Sequence, residues 1–111
     1  MKYKVVFLGE AVVDLTELKH YIIKKFSTRI WQNTYRKIKT AVKDLESFPE
    51  KGKIPPELAK LNLSQYRQVI SEMNRIIYEI RQKIIYIHII CDTRRDMQTL
   101  LSKRLLRIFN N

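Results

Sequence analysis

Glycine and proline are scarce, with two and three residues in a chain of 111. That scarcity excludes long flexible linkers and Pro-rich tails. Cys91 is the only cysteine, so no internal disulfide forms, and a reduced, cytoplasmic setting is expected. At the end of an apolar strand, Cys91 reads as a buried structural thiol rather than a nucleophile. Long apolar runs are also missing. The longest, Ile84 to Cys91, is interrupted by Tyr86 and His88 and is too short to span a bilayer as a helix. Residues Met1 to Glu10 lack the charged start, apolar run and small-residue cleavage site of a secretory signal. No helix pairs a basic face with a wide apolar face and aromatic anchors, so no membrane partner is expected.

The chemical signatures are equally thin. There is no GxGxxG and no GxxxxGK[ST], which argues against a nucleotide-phosphate cradle. One Cys and two distant histidines, His20 and His88, give poor support for zinc, and no metal or other cofactor is expected. A Ser-His-Asp triad assembles only by free choice among scattered residues. Asp14 and Glu17, one turn apart, read as a solvated helix face. His88, flanked by isoleucines, reads as a satisfied sheet histidine, and Tyr66 and Tyr78 as packing residues. Lys51 and Lys53 read as solvating their loop.

What the chain has is positive charge. Twenty-two Lys and Arg against 11 Asp and Glu give a net charge of +11, spread over both halves. An anionic partner follows: nucleic acid or an acidic protein. Apolar content of 45% and this length fit one globular domain, residues 1–111.

Local patterns give an element order. Lys2 to Leu8 (KYKVVFL) reads as a strand that Gly9 ends. Val12, Leu15, Leu18, Ile22 and Phe26 make one stripe on a helix over Glu10 to Phe26. Ser27 or Thr28 can N-cap a second helix with a stripe of Trp31, Tyr35, Ile38, Val42 and Leu45, stopped by Pro49. Glu50 to Lys60 is a loop, with room for one helical turn after Pro56. Strands follow at Gln65 to Glu72, Arg75 to Ile80 and Ile84 to Asp92, joined by hairpin-length gaps. Apolar residues on both faces of the last two imply a sheet covered on both sides. Leu100, Leu101, Leu105 and Ile108 support a short final helix over about Met97 to Arg107, with Asp96 as its cap. The expected fold is α+β: an N-terminal strand, a helical hairpin packed on an antiparallel sheet (β-α-α-β-β-β), and a short C-terminal helix.

The arginines are the best functional candidates. The strand directions bring Arg75, at the start of one strand, near Arg94, just past the end of the next, with Arg67 on the neighbouring strand. Crowded at one sheet edge, these planar forks suit RNA phosphate or an acidic protein partner. Alternatively, each pairs with a nearby acid: Glu72, Asp92 or Asp96.

Over nearly its whole length the chain resembles the RelE/ParE superfamily of toxins from bacterial type II toxin-antitoxin pairs. The resemblance rests on AVVDLTELKHYI, FPEKGKIPPEL, YRQVISEMNRIIYEI, IIYIHII and TRRDMQTLLSKRL, in that order. It implies a cognate antitoxin, expected as an acidic-apolar segment that wraps the sheet and first helices and covers or displaces the final helix. It also implies one of two activities. RelE-like members cut mRNA in the ribosomal A site, for which Arg67, Arg75 and Arg94 match the catalytic positions. Asn74 stands where that pattern has a tyrosine before its arginine. Leu100 and Val69 stand where it has a late tyrosine and a second basic group. ParE-like members poison DNA gyrase without hydrolysis. Asp14, Leu15, Tyr21 and Ile22, and the RRDMQTLLSKRL ending, resemble ParE. The expectation is therefore a ParE-like gyrase inhibitor with Arg94, Arg95, Lys103, Arg104 and Arg107 as its target-binding surface. The alternatives are a ribosome-dependent mRNA endoribonuclease and a basic nucleic-acid-binding module.

Overall fold

A computed structural model describes residues 2–94, 99–100 and 103–104. The chain begins with β1 (Lys4–Phe7) and turns at Leu8 into α1 (Gly9–Lys25). Gly9 therefore opens the helix rather than closing the strand. α2 (Thr28–Ser47) follows after two residues, because the Ser27 hydroxyl accepts the amide of Ile30 at 3.1 Å and caps it. α3 (Pro56–Ala59) is a single turn with Pro56 at its first position. The remaining elements are β2 (Tyr66–Ser71), β3 (Asn74–Arg81) and β4 (Ile84–Asp92). Thr99, Leu100, Lys103 and Arg104 have helical backbone. Arg95, Asp96, Met97 and Arg107, named above for the target surface or the final helix, lie outside the described residues.

The four strands lie in the order β1-β4-β3-β2. The last three form the expected antiparallel meander, and β1 pairs with β4 in parallel, Lys4 opposite Ile84 through Phe7 opposite Ile87. Both hairpins close through two-residue turns, Glu72-Met73 and Gln82-Lys83, so the first turn sits one residue earlier than the sequence pattern suggested. Glu72 and Gln82 take φ of 55° and 56°, the left-handed region that glycine fills more readily in such turns.

One face of the sheet presents Ile76, Tyr78, Ile85, Ile87 and Ile90 to the helical hairpin, where Ala11, Ile38, Val42 and Leu45 meet them. The other face is covered by a smaller cluster of Leu58, Tyr66, Ile77, Ile89 and Cys91, against which Leu63 and Leu100 pack. A bulge makes this two-sided filling possible. Register shifts between Ile77 and Tyr78, whose partners on β4 are Ile89 and Ile87, so His88 is the extra residue. His88 and Ile89 then both serve the smaller cluster's face, while Ile90 returns to the helix side.

The α2 stripe is buried as expected at Trp31, Ile38, Val42 and Leu45, while its fifth residue, Tyr35, is exposed. The α1 stripe faces the core only at Leu15, Leu18 and Ile22. Val12 and Phe26 are 49% and 62% exposed. The side of α1 that faces the core instead runs through Ala11, Leu15, Leu18 and Ile22, the i, i+4, i+7, i+11 series that begins one residue earlier. Among the described residues, no helix is long and apolar enough to cross a membrane.

Candidate functional site

The three arginines do not gather into one site. Arg67 and Tyr78 are paired across β2 and β3, and Arg75 is paired with Ile70. Arg67 and Ile70 are three residues apart, so Arg67 and Arg75 project to opposite faces of the sheet. Arg67 donates to the carbonyls of Glu50 and Gly52 at 3.3 and 2.8 Å. It ties down the loop before α3. Tyr78 works on the same loop from beneath. Its hydroxyl donates to the Pro49 carbonyl at 2.7 Å and accepts the Gly52 amide at 2.9 Å. Glycine is required at 52 by close approach, since a Cβ there would lie 2.5 Å from the Gln68 carbonyl oxygen.

Arg75 is buried on the other face. Its Nη1 and Nη2 each donate to Glu57 at 3.1 Å, and its Nε donates to Gln68 at 2.7 Å. These hydrogen bonds hold the Glu57 carboxyl below its ordinary pKa, against the opposing effect of burial. This acidic partner lies on α3, and it is not one of the nearby acids Glu72, Asp92 and Asp96. Arg94 is exposed, and its fork closes on Asp92 at 3.0 Å from both Nε and Nη2. That local pairing raises its pKa. Each candidate nuclease arginine is thus engaged in a different local structure. Asn74 and Val69 add no titratable group beside them.

Arg104 departs most from the surface role expected of it. Its side chain is only 12% exposed. Nε donates to Glu10 at 2.6 Å, Nη1 and Nη2 donate to Asp14 at 3.1 and 3.2 Å, and Nη2 also donates to the His88 carbonyl at 3.0 Å. Burial works against the charge, but the hydrogen bonds and charges of Asp14 and then Glu10 outweigh it and leave the pKa raised. Asp14 is correspondingly 13% exposed, and its Oδ2 also accepts the Ile90 amide at 3.0 Å. It is not part of a solvated face. Lys103, the neighbouring cation, is exposed.

His88 meets its expectation of a satisfied sheet histidine. Its Nε2 lies 2.9 Å from Glu79 Oε1, and the other oxygen of Glu79 takes Nε of Arg81 at 3.0 Å. Tyr66 stands edge-on to the imidazole with centroids 5.1 Å apart. Burial pulls the His88 pKa below its ordinary value, more than Glu79 raises it. The neutral ring therefore donates from Nε2, because the carboxylate can only accept. Among the described residues, no three His, Cys, Asp or Glu side chains are grouped to hold a metal.

A further concavity lies elsewhere. A groove of about 690 Å³ runs between α2 and β1. Val5, Phe7, Trp31 and Val42 contribute apolar surface to it, and Arg36, Lys39 and Lys43 contribute charge, against a single acid, Glu46. Trp31 and Tyr35 stack with centroids 5.3 Å apart, and Lys39 Nζ lies 5.3 Å from the Tyr35 ring centre. Stripe residues of α2 thus line a groove as well as a core, which the helical period alone does not reveal.

A helical hairpin thus covers one face of a small α+β sheet whose other face carries a smaller apolar cluster. A family model described as ParE toxin of type II toxin-antitoxin system, parDE, matches residues 5–97. The chain belongs to that family of toxins. A solved structure described as the chromosomal ParDE TA system from P. aeruginosa superposes with a TM-score of 0.68 at 15% identity. The alignment covers 82% of this chain and 96% of that one, and it shows a shared fold. No curated protein matches the sequence.

Proposed function

We propose that this toxin arrests growth by binding DNA gyrase and that a cognate antitoxin neutralises it. The observation that carries the reading is the family match over residues 5–97. The dispersal of Arg67, Arg75 and Arg94 supports it. A ribonuclease must place several cations around one phosphate and move protons beside it. Here the three guanidiniums lie in separate structures, each with its own acceptors. In this reading the basic C-terminal region, with Arg94, Arg95, Lys103, Arg104 and Arg107, is the target-binding surface. The antitoxin's binding segment is acidic and apolar, and the α2–β1 groove suits it because an apolar floor is rimmed by Arg36, Lys39 and Lys43.

The test is a supercoiling assay with purified toxin, alone and with the product of the adjacent reading frame. Inhibition at micromolar toxin, with trapped cleavage complexes and relief by the antitoxin, is expected. Unimpaired gyrase combined with codon-dependent mRNA cleavage in a translation extract would replace this reading with the nuclease one.

A further inference from the structure

One guanidinium joins the C-terminal segment to the rest of the domain across a gap in the sheet. β1 ends at Phe7, opposite Ile87, while β4 continues to Asp92. From His88 onward, no strand among the described residues pairs with β4 on that side, and its peptide groups need other partners. Two side chains supply them. Asp14 accepts the amide of Ile90, and Arg104 donates to the carbonyl of His88. The same two side chains bind each other through two parallel N–H···O bonds, and Glu10 takes the remaining Nε. This is bidentate pairing in a largely dry setting, where charge-assisted bonds are strong and orientation is fixed. Leu100, about one turn earlier, packs on the opposite face of the sheet with Leu58, Tyr66, Ile77, Ile89 and Cys91. Leu100 thus contacts the smaller cluster's face, and the Arg104 side chain contacts the β4 edge.

We propose that Asp14 is a positioning residue for the target-binding surface. By seating Arg104 against β4, it sets the direction in which Lys103 faces. The inference rests on the reading of that region as the target surface. Asp14 itself need not touch the target. Its carboxylate lies beneath the guanidinium, and only Lys103 of the two neighbouring cations is exposed.

The experiment uses the full chain with Asp14→Asn, Asp14→Glu, Arg104→Gln and Arg104→Lys. Four quantities are read: growth arrest on induction, gyrase inhibition, tryptic cleavage after Lys103, and affinity for the cognate antitoxin. Asp14→Asn and Arg104→Gln are expected to lose about tenfold or more in toxic potency and to cleave about tenfold faster, as a released segment does. Asp14→Glu, which keeps the charge, should recover most of both, and Arg104→Lys, which loses the fork, only part. Antitoxin affinity should change by less than about threefold, since the α2–β1 groove is built from other residues. Wild-type potency and cleavage in Asp14→Asn would overturn the proposal. So would an equal loss of antitoxin affinity in Asp14→Asn and Arg104→Lys, because the pair would then support the whole fold rather than one surface. A wild-type chain that arrests growth but leaves gyrase active would defeat the gyrase reading alone. Asp14 would still be judged by growth and trypsin.

Discussion

Replacing Tyr78 with Phe removes one oxygen from the centre of the molecule and leaves every apolar contact in place. The ring is fully buried, and its hydroxyl joins two backbone groups of the loop before α3. In the variant, the Gly52 amide and the Pro49 carbonyl both lose a partner. Gly52 is buried, so its amide has little access to water as a replacement. A lost hydrogen bond costs about 1 kcal/mol, and a buried donor left unsatisfied costs about 1–3 kcal/mol. The sum for Tyr78→Phe is about 2–4 kcal/mol, or roughly 8–16 °C in Tm for a domain of this size. Urea unfolding read by Trp31 fluorescence measures it cleanly, because Trp31 is the only tryptophan and lies on α2, away from the loop. Arg67 provides the contrast. It holds the same loop from a more exposed position, so Arg67→Ala should cost clearly less than Tyr78→Phe. A Tyr78→Phe protein within about 0.5 kcal/mol of wild type would refute the claim that the hydroxyl fastens the loop.

Two further predictions concern pH. His88 is held below its ordinary value of 6.5 in the native state, so the unfolded chain takes up its proton first. Stability is then complete above about pH 6.5 and declines as pH falls toward the lowered native pKa; His88→Gln should flatten this step in denaturant titrations between pH 7 and 5. Glu57 is held below its ordinary value of 4.5 by Arg75, so its contribution is complete above about pH 4.5 and is lost as pH falls through the lowered native value. Glu57→Gln should start less stable at neutral pH and lose less on acidification, and parallel acid curves for the two proteins would contradict the assignment.

The elements were legible because their signals are local. Ser27 followed by a stripe at Trp31, Ile38, Val42 and Leu45 specifies both the start and the buried side of α2. The meander was legible because β3 and β4 are apolar on both faces and the gaps between strands are short. Two features of the site were read wrongly or missed. The arginine cluster fails on parity, which the sequence did contain. A two-residue turn pairs odd positions with even ones, so Arg67 and Arg75 cannot share a face under any such turn. Strand direction alone, without side-chain alternation, made the cluster look plausible. Asp14 was missed for a different reason. Its partner is 90 residues away, and its third bond is to the backbone of β4. No helical period distinguishes a carboxylate facing water from one facing a sheet edge. The early end of β1, which creates that edge, is set by where Leu8 leaves the sheet.

The pairing of β1 with β4 governs how the domain comes together. Residues 4–7 must wait for residues 84–87 before the sheet closes. The β2–β3 hairpin and the α1–α2 hairpin are local and can form early, but neither has a complete surface to bury against. Ile85, Ile87 and Ile90, at the heart of the main core, all arrive on β4. A truncated or stalled chain that ends before them has helices and a hairpin but no interior. Toxicity is thereby tied to completion of the fold. The seat of Arg104 on the His88 carbonyl therefore exists only once β4 has docked beside β1.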